Sequence, residues 1–269
     1  MTLRIQGAVI EKRPPRSLRS MRISLPALLV GALALALAAC GGDGAGDQGP
    51  TPAAGAKPPA VNLFVNPGIE DGEEPWVSLE TPAWGAPFTA SDAQAHSGES
   101  SALLQLRSSE LGSVAARVYG VVQEISADEF PEQLSGYYYV ESWEKGTSKQ
   151  YLQFVVIVFD ATTIPPGLGA TNYQIRYPLA GIDEPPFEIG NAKFAFVGRD
   201  EPELGRWVYF ERNIRQDFEE LWGAAPEGFS RLRILFEVRW DGRTAEDAPS
   251  SADVYFDDLY LGPAREGGG

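Results

Sequence analysis

Between Ser230 and Asp241, apolar and polar residues alternate. Leu232, Ile234, Phe236, Val238 and Trp240 fall on one side, and Arg231, Arg233, Glu237 and Arg239 on the other. Successive side chains of a strand point to opposite faces, so this period of two predicts a strand with one buried face. Comparable runs are Asn62–Val65, Ser101–Leu106, Arg117–Ile125, Leu134–Trp143, Tyr151–Asp160, Tyr173–Tyr177, Lys193–Val197, Trp207–Ile214 and Val254–Leu261. Gly, Pro, Asp and Ser separate them, as turns require. One short helix is predicted at Gln216–Trp222, where Phe218, Leu221 and Trp222 share a face and Gly223 offers the stop. Many short strands between turn clusters predict an all-β fold, an antiparallel β-sandwich of the jelly-roll kind.

The first 60 residues do not share this pattern. Met21-Arg22 opens a basic start, Ile23 to Ala39 is apolar or small without a charge, and the run ends Leu37-Ala38-Ala39-Cys40. That is the layout of a secretory signal. The last four residues resemble the lipobox of bacterial lipoproteins, which implies cleavage before Cys40 and a lipid on its sulfur. The stretch is at the short edge of a membrane span and leads into no basic stop, which favours the signal over a transmembrane helix. Residues 1–20 lengthen the basic start, and Met21 would give a signal of ordinary length, so Met21 is the expected start. Gly41 to Ala60 is Gly, Ala, Pro and Asp with single Gln48, Thr51 and Lys57 and reads as a flexible tether, with a reach of about 25 Å. The organisation expected is thus signal 1–39, lipidated cysteine and linker 40–60, sandwich 61–263 and a frayed tail 264–269. The product would be exported and held to the cell membrane or outer membrane, facing the periplasm or the exterior.

Charge narrows the partners. Of the 22 Lys/Arg and 37 Asp/Glu in the chain, residues 1–39 hold six and one, which leaves 16 and 36 and a net charge of −20 beyond the cut. Such a surface repels nucleic acid and anionic headgroups and attracts cations. Cys40 is the only cysteine, so no intrachain disulfide and no cysteine metal site can form. His96 is the only histidine, which excludes His-pair zinc motifs.

Three pieces of the domain carry a family likeness. It begins Asn62-Leu63-Phe64-Val65-Asn66-Pro67-Gly68-Ile69-Glu70-Asp71-Gly72, then Trp76. Ala95-His96-Ser97-Gly98-Glu99-Ser100-Ser101-Ala102-Leu103 follows, and Val254-Tyr255-Phe256-Asp257-Asp258-Leu259-Tyr260-Leu261 closes it. In this order they resemble carbohydrate-binding modules of the family 4/9 and family 22 type, galactose-binding-like jelly rolls. Pro67-Gly68-Ile69 stands where the family has G-x-F, and Thr162 to Asn191 is an insert without counterpart. The resemblance implies a structural Ca²⁺ near Glu70, Asp257 and the Ser97-Gly98 turn, with His96 as a turn residue beside it.

Physics makes that arrangement reasonable. First and last strands of a jelly roll are neighbours, so Glu70 can approach Asp257. Two close carboxylates are costly unless a cation lies between them, and calcium takes 6–8 oxygens, partly from backbone carbonyls. The proposed metal ligands are Glu70, Ser97 and Asp257. The choice between Asp257 and Asp258 stays open, since adjacent strand residues face opposite ways. The alternative is that these carboxylates are solvated turn residues or pair with Arg or Lys.

The ligand face is predicted from Leu134–Trp143. Leu134, Gly136, Tyr138 and Val140 look core-directed, which sends Tyr137, Tyr139, Glu141 and Trp143 to the opposite face. Sugars stack on aromatic rings and bond their hydroxyls to carboxylates, amides and guanidinium groups. If Ser230–Asp241 lies in the same sheet, Arg233, Glu237 and Arg239 join the set, and Gln153 is a further candidate. Trp84 and Trp207 are assigned to the core. The alternative is a covered face whose aromatics form a second small core.

The expected function is glycan binding without catalysis. A retaining glycosidase needs two carboxyl groups about 5–5.5 Å apart, and no strand carries an E-x-D-x-x-E run that would present them together. A structural or assembly lipoprotein using the sandwich for protein contact is the other reading, with a carboxylate-based glycosidase or lyase behind it.

Overall fold

Alternation decides the layers of this molecule, whose structure is a computed structural model describing residues 61–78, 88–111, 116–147, 149–242 and 246–265. Cys40, the signal and the tether lie outside the described residues, as does Trp84. Eleven strands are described: β1 (Thr89–Ser91), β2 (Ser101–Arg107), β3 (Ala116–Ile125), β4 (Gln133–Glu144), β5 (Lys149–Phe159), β6 (Asn172–Ala180), β7 (Glu188–Ile189), β8 (Ala192–Phe194), β9 (Trp207–Asn213), β10 (Arg231–Asp241) and β11 (Ser251–Gly262). They form a five-stranded sheet in the order β1-β2-β11-β4-β9 and a six-stranded sheet in the order β3-β10-β5-β6-β8-β7. Every pairing is antiparallel except β6 with β8. The predicted all-β sandwich of the jelly-roll kind is the observed fold.

The inner faces close over one apolar core. Leu104 and Leu106 of β2, Tyr138 and Val140 of β4, and Val254 and Phe256 of β11 meet Phe154 and Val156 of β5 and Ile234, Phe236 and Val238 of β10. Phe236 is the hub, with ring centroids 5.4 Å from Phe256 and 6.2 Å from Phe210. Each fully buried ring or aliphatic chain contributes about 1.5–3 kcal/mol of transfer free energy. Helix α1 (Ile214–Trp222) starts two residues before its predicted bound. Asn213 caps it, its side chain accepting from Gln216 N at 2.9 Å, and Gly223 ends it in the left-handed conformation with its N–H on Glu219 O.

Four expectations need correction. Asn62–Val65 is not a strand. It runs beside β11 through Leu63 N to Leu261 O at 2.7 Å, while the Asn62 side chain takes the places a ladder would fill, bonding Leu259 O and Leu261 N. The strand predicted at Tyr173–Tyr177, inside the Thr162–Asn191 insert, extends to β6, and the insert also contributes β7. The predicted strand Lys193–Val197 shrinks to β8, and the predicted tail is tied down at its start by Ala264 N to Glu132 Oε2 and Arg265 N to Gln133 Oε1.

A β-bulge changes the reading of Trp143. Opposite β11, Val140 pairs with Val254 but Ser142 pairs with Asp253, so one extra residue sits in β4 at Glu141. An extra residue reverses the alternation beyond it. Glu141 and Ser142 both turn outward, bonding Tyr255 Oη and Asp253 Oδ2, and Trp143 pairs with buried Ala252 and packs against the core. Trp143 is therefore not on the predicted ligand face. Its Nε1 donates to Glu201 Oε2 at 2.8 Å. Trp143→Ala should destabilise the fold by about 2–3 kcal/mol, somewhat less than the loss of a fully enclosed ring. A urea denaturation curve unchanged by the substitution would contradict this packing.

Candidate functional site

Strand β11 carries two carboxylates at the point where it breaks its own register. Asp258 is in the left-handed region at φ 48°, and pairing with β4 shifts between Asp257 and Tyr260. The Asp257 side chain is buried and accepts from the backbone N–H of His96 at 2.7 Å and of Ser97 at 3.2 Å. Asp258 turns outward instead and takes Ser97 Oγ at 2.6 Å, with His96 Nδ1 2.6 Å from its other oxygen. Glu70 reaches the same turn from the opposite side, accepting from Glu99 N and Ser100 N at 3.0–3.1 Å.

Glycine makes this approach possible. A Cβ on Gly68 would lie 3.3 Å from Asp257 Oδ1 and 3.6 Å from Glu70 Oε1, so both carboxylates face one point of backbone. A Cβ on Gly98 would collide with the Glu70 carboxylate. Gly98 is also at φ 65°, and the β-branched Ile69 next to Glu70 is held at φ 61°, fully buried. Ile in that region is strained, and such strain persists only where surrounding contacts impose it. Burial is the main cause pushing the Asp257 carboxyl up to about 6, with the Asp258 charge adding to it and the N–H donors opposing it.

Among the described residues, no three His, Cys, Asp or Glu side chains converge as a metal cage. The Glu70 and Asp257 carboxylates do approach one another across Gly68, their oxygens accepting from backbone N–H groups, and as ligands both would offer oxygen. That set suits a hard cation completed by backbone carbonyls. The Ser97 hydroxyl donates its proton to Asp258 and keeps its lone pairs, so Ser97 can offer its hydroxyl oxygen or its carbonyl.

The aromatic face adjoins this turn. Tyr137 and Tyr139 of β4 point outward as predicted and are half-buried, and Glu141 is exposed. Opposite them on β9 are Tyr209 and Trp207, in register with Tyr137 and Tyr139 respectively. Tyr255 of β11 flanks Tyr139 on its other side. His96 stacks on Tyr137 at 3.6 Å between centroids and 16° between planes, and meets Trp207 edge-on at 5.6 Å. The rings of Tyr209, Tyr137, His96, Trp207, Tyr139 and Tyr255 thus form one connected strip. Tyr209 is 46% exposed and Tyr137, Tyr139 and Trp207 are half-buried, so this part of the strip is open, whereas Tyr255 at its end is buried at 2% exposure. A cavity of about 640 Å³ lies at its end, bounded by His96, Tyr137, Tyr209, Glu211 and Asp258.

Trp207, assigned to the core from sequence, is half-buried on this outer face, and Tyr209, Tyr255 and Glu211 were not anticipated there. The signal existed in β9, where Trp207, Tyr209 and Glu211 alternate with Val208 and Phe210. Burial raises the pKa of the Tyr255 hydroxyl to about 12 and shifts that of Tyr209 upward, in each case helped by the carboxylate it bonds, Glu141 or Glu211.

Gln153 and Arg239 do not belong to this face. β5 and β10 lie in the six-stranded sheet, on the far side of the core. On that sheet's outer surface Gln153 is 0% exposed and donates to Glu237 Oε2 at 2.6 Å. Arg239 Nη2 donates to Asp241 Oδ1 at 2.6 Å, and Tyr151 Oη to Asp241 Oδ2 at 2.7 Å. Arg233 pairs with Glu124. These polar groups are largely spent on one another, whereas the sequence pattern of β10 had presented them as free.

No family model matches the chain, and no curated protein matches it. Solved structures of similar fold include TmCBM61 in complex with β-1,4-galactotriose, at 16% identity and a TM-score of 0.38, covering 75% of this chain and 97% of that one. The CBM22-1 xylan-binding domain of Paenibacillus barcinonensis Xyn10C is 14% identical with a TM-score of 0.37, covering 74% and 93%. The enzymatically active domain of bacteriophage CBA120 tailspike protein 4 is 11% identical with a TM-score of 0.35, covering 75% of this chain and 21% of that one.

Proposed function

We propose that this chain is an exported lipoprotein, anchored through Cys40, whose sandwich binds a glycan without catalysis on the outer face of the five-stranded sheet. The observation that carries the reading is the partly open strip of Tyr209, Tyr137, Trp207 and Tyr139, with the exposed Glu141 and Glu211 beside it. A globular surface rarely leaves contiguous aromatic area in water without a partner to cover it. Rings that present flat faces beside hydrogen-bonding groups suit pyranose units better than a hydrophobic protein patch. A glycan-array screen of the full chain should return a binder, and Tyr137→Ala should weaken it by about 1–3 kcal/mol while changing stability little. An array without a hit would move the reading to an assembly role through protein contact.

The anchor rests on the sequence Leu37-Ala38-Ala39-Cys40. Two or more acyl chains give stable attachment where one does not. Cys40→Ser should abolish uptake of labelled fatty acid, and uptake equal to the wild type would end the lipoprotein reading.

The carboxylates of Glu70 and Asp257 are proposed to hold Ca²⁺ as a structural cation. Without a cation, the raised Asp257 pKa means the fold prefers the protonated carboxyl. That contribution is full below the unfolded value near 3.9 and is lost as pH rises through about 6. In chelator, stability should therefore decline between about pH 4 and about 6, and Asp257→Asn should flatten the decline. At pH 7, millimolar Ca²⁺ should raise the melting temperature, and Glu70→Ala or Asp257→Ala should abolish the rise. Superposable melting curves in chelator and in calcium would remove the cation from this account.

A further inference from the structure

Two carboxylates stand among the rings of the open face without a basic partner. Glu141 accepts from Tyr255 Oη at 3.1 Å, and Glu211 accepts from Tyr209 Oη and Gln133 Nε2. Every one of these donors is neutral. Among the described residues, neither carboxylate lies within ion-pair distance of Lys or Arg. Asp253 on the same face differs, being held by Arg107 at 2.5 Å. Arg265 borders the cavity beside Glu211, but its guanidinium lies over the Tyr260 ring, 3.4 Å from the centroid.

The two carboxylates are spaced along the strip. Glu211 is in register with Ser135, six positions before Glu141 on β4, which puts them about 20 Å apart at strand rise. Between them lie the half-buried rings of Tyr137, Tyr139 and Trp207, whose π systems are negative on their faces, one face of Tyr137 being covered by His96. An aromatic face with an adjacent carboxylate attracts a cation twice over, by ring quadrupole and by charge. The same groups repel an anion, and the chain's net charge of −15 extends that preference to long range.

We propose that this face takes a glycan with free amino groups, a chain of glucosamine-type units whose ammonium groups meet Glu141 and Glu211 while the sugar rings lie on Tyr137, Tyr139 and Trp207. The proposal rests on the glycan reading above and names the class of sugar. An N-acetylated chain offers the same ring faces without the charge. A uronic acid chain brings the wrong charge.

The test is calorimetric titration of the full chain at low salt with three probes: glucosamine hexamer, N-acetylglucosamine hexamer and hexalysine. The glucosamine hexamer should bind most tightly. Glu141→Gln and Glu211→Gln keep the size and an acceptor oxygen, and each should weaken it by about threefold to thirtyfold. Tyr137→Ala should weaken both sugars. Equal affinity for the acetylated hexamer, or Gln variants that bind the glucosamine hexamer like the wild type, would overturn the amino-sugar class. The glycan reading would then still stand, provided that Tyr137→Ala weakens the acetylated sugar. Silence of both sugars on this chain, with no hit on the array, would overturn the two readings together. Tighter binding of hexalysine, or glucosamine binding untouched by Tyr137→Ala, would mark charge attraction alone and overturn the assignment.

Discussion

The buried Asp257 carboxylate, held by the backbone N–H groups of His96 and Ser97, is the contact on which the candidate face depends. β11 is the middle strand of its sheet, paired to β2 on one side and β4 on the other. A carboxylate fixed in its backbone therefore fixes whatever it bonds against the whole sheet. What it bonds is the turn carrying His96, and the His96 ring lies on Tyr137. Asp258 then locks that ring through Nδ1. One side of the aromatic strip is thus set by a loop from outside the sheet, and the loop's position is set by three carboxylates, Asp257, Asp258 and Glu70, with Gly68 and Gly98 allowing the close approach. A buried carboxylate satisfied only by amides still pays for desolvation, which the raised Asp257 pKa expresses.

The long strands β2–β6 and β9–β11 and the helix α1 were legible from local alternation, and the approach of Glu70 and the Ser97-Gly98 turn to Asp257 from the family resemblance and the neighbouring ends of a jelly roll. The direction of Trp143 was not. Tyr137 to Trp143 reads as unbroken alternation, and only the partner strand, with Ser142 opposite Asp253, reveals the extra residue at Glu141. A bulge is a property of a pair of strands, so one strand's pattern cannot disclose it. Asn62–Val65 fails for a related reason. Its apolar residues pack as a strand's would, with Phe64 buried, but the Asn62 side chain satisfies β11 in place of a ladder.

Sheet membership was also beyond the pattern. Arg233, Glu237 and Arg239 alternate with core residues just as Tyr137 and Tyr139 do, and alternation says only inside or outside, never which outside. The sandwich separates them. On the six-stranded sheet the outward polar groups are buried, with Glu237 at 1% exposure and Arg239 at 9%, and bond mainly to one another. On the five-stranded sheet Tyr137, Tyr139 and Trp207 stay half-buried and Tyr209 exposed, and of the outward rings Tyr255 is buried.

That asymmetry bears on how the open face holds its shape. A surface ring free to change rotamer loses entropy when a ligand arrives, and each immobilised side chain costs about 0.5–1.5 kcal/mol on binding. Here much of that ordering is already done by the fold. Tyr255 is held by Glu141, Tyr209 by Glu211, Tyr137 by the stacked His96, and Trp207 by the edge of the same imidazole. The hydroxyls of Tyr209 and Tyr255 are thereby engaged by exposed carboxylates of their own face. The groups that order these two rings are thus the same ones that place acidic side chains along the face.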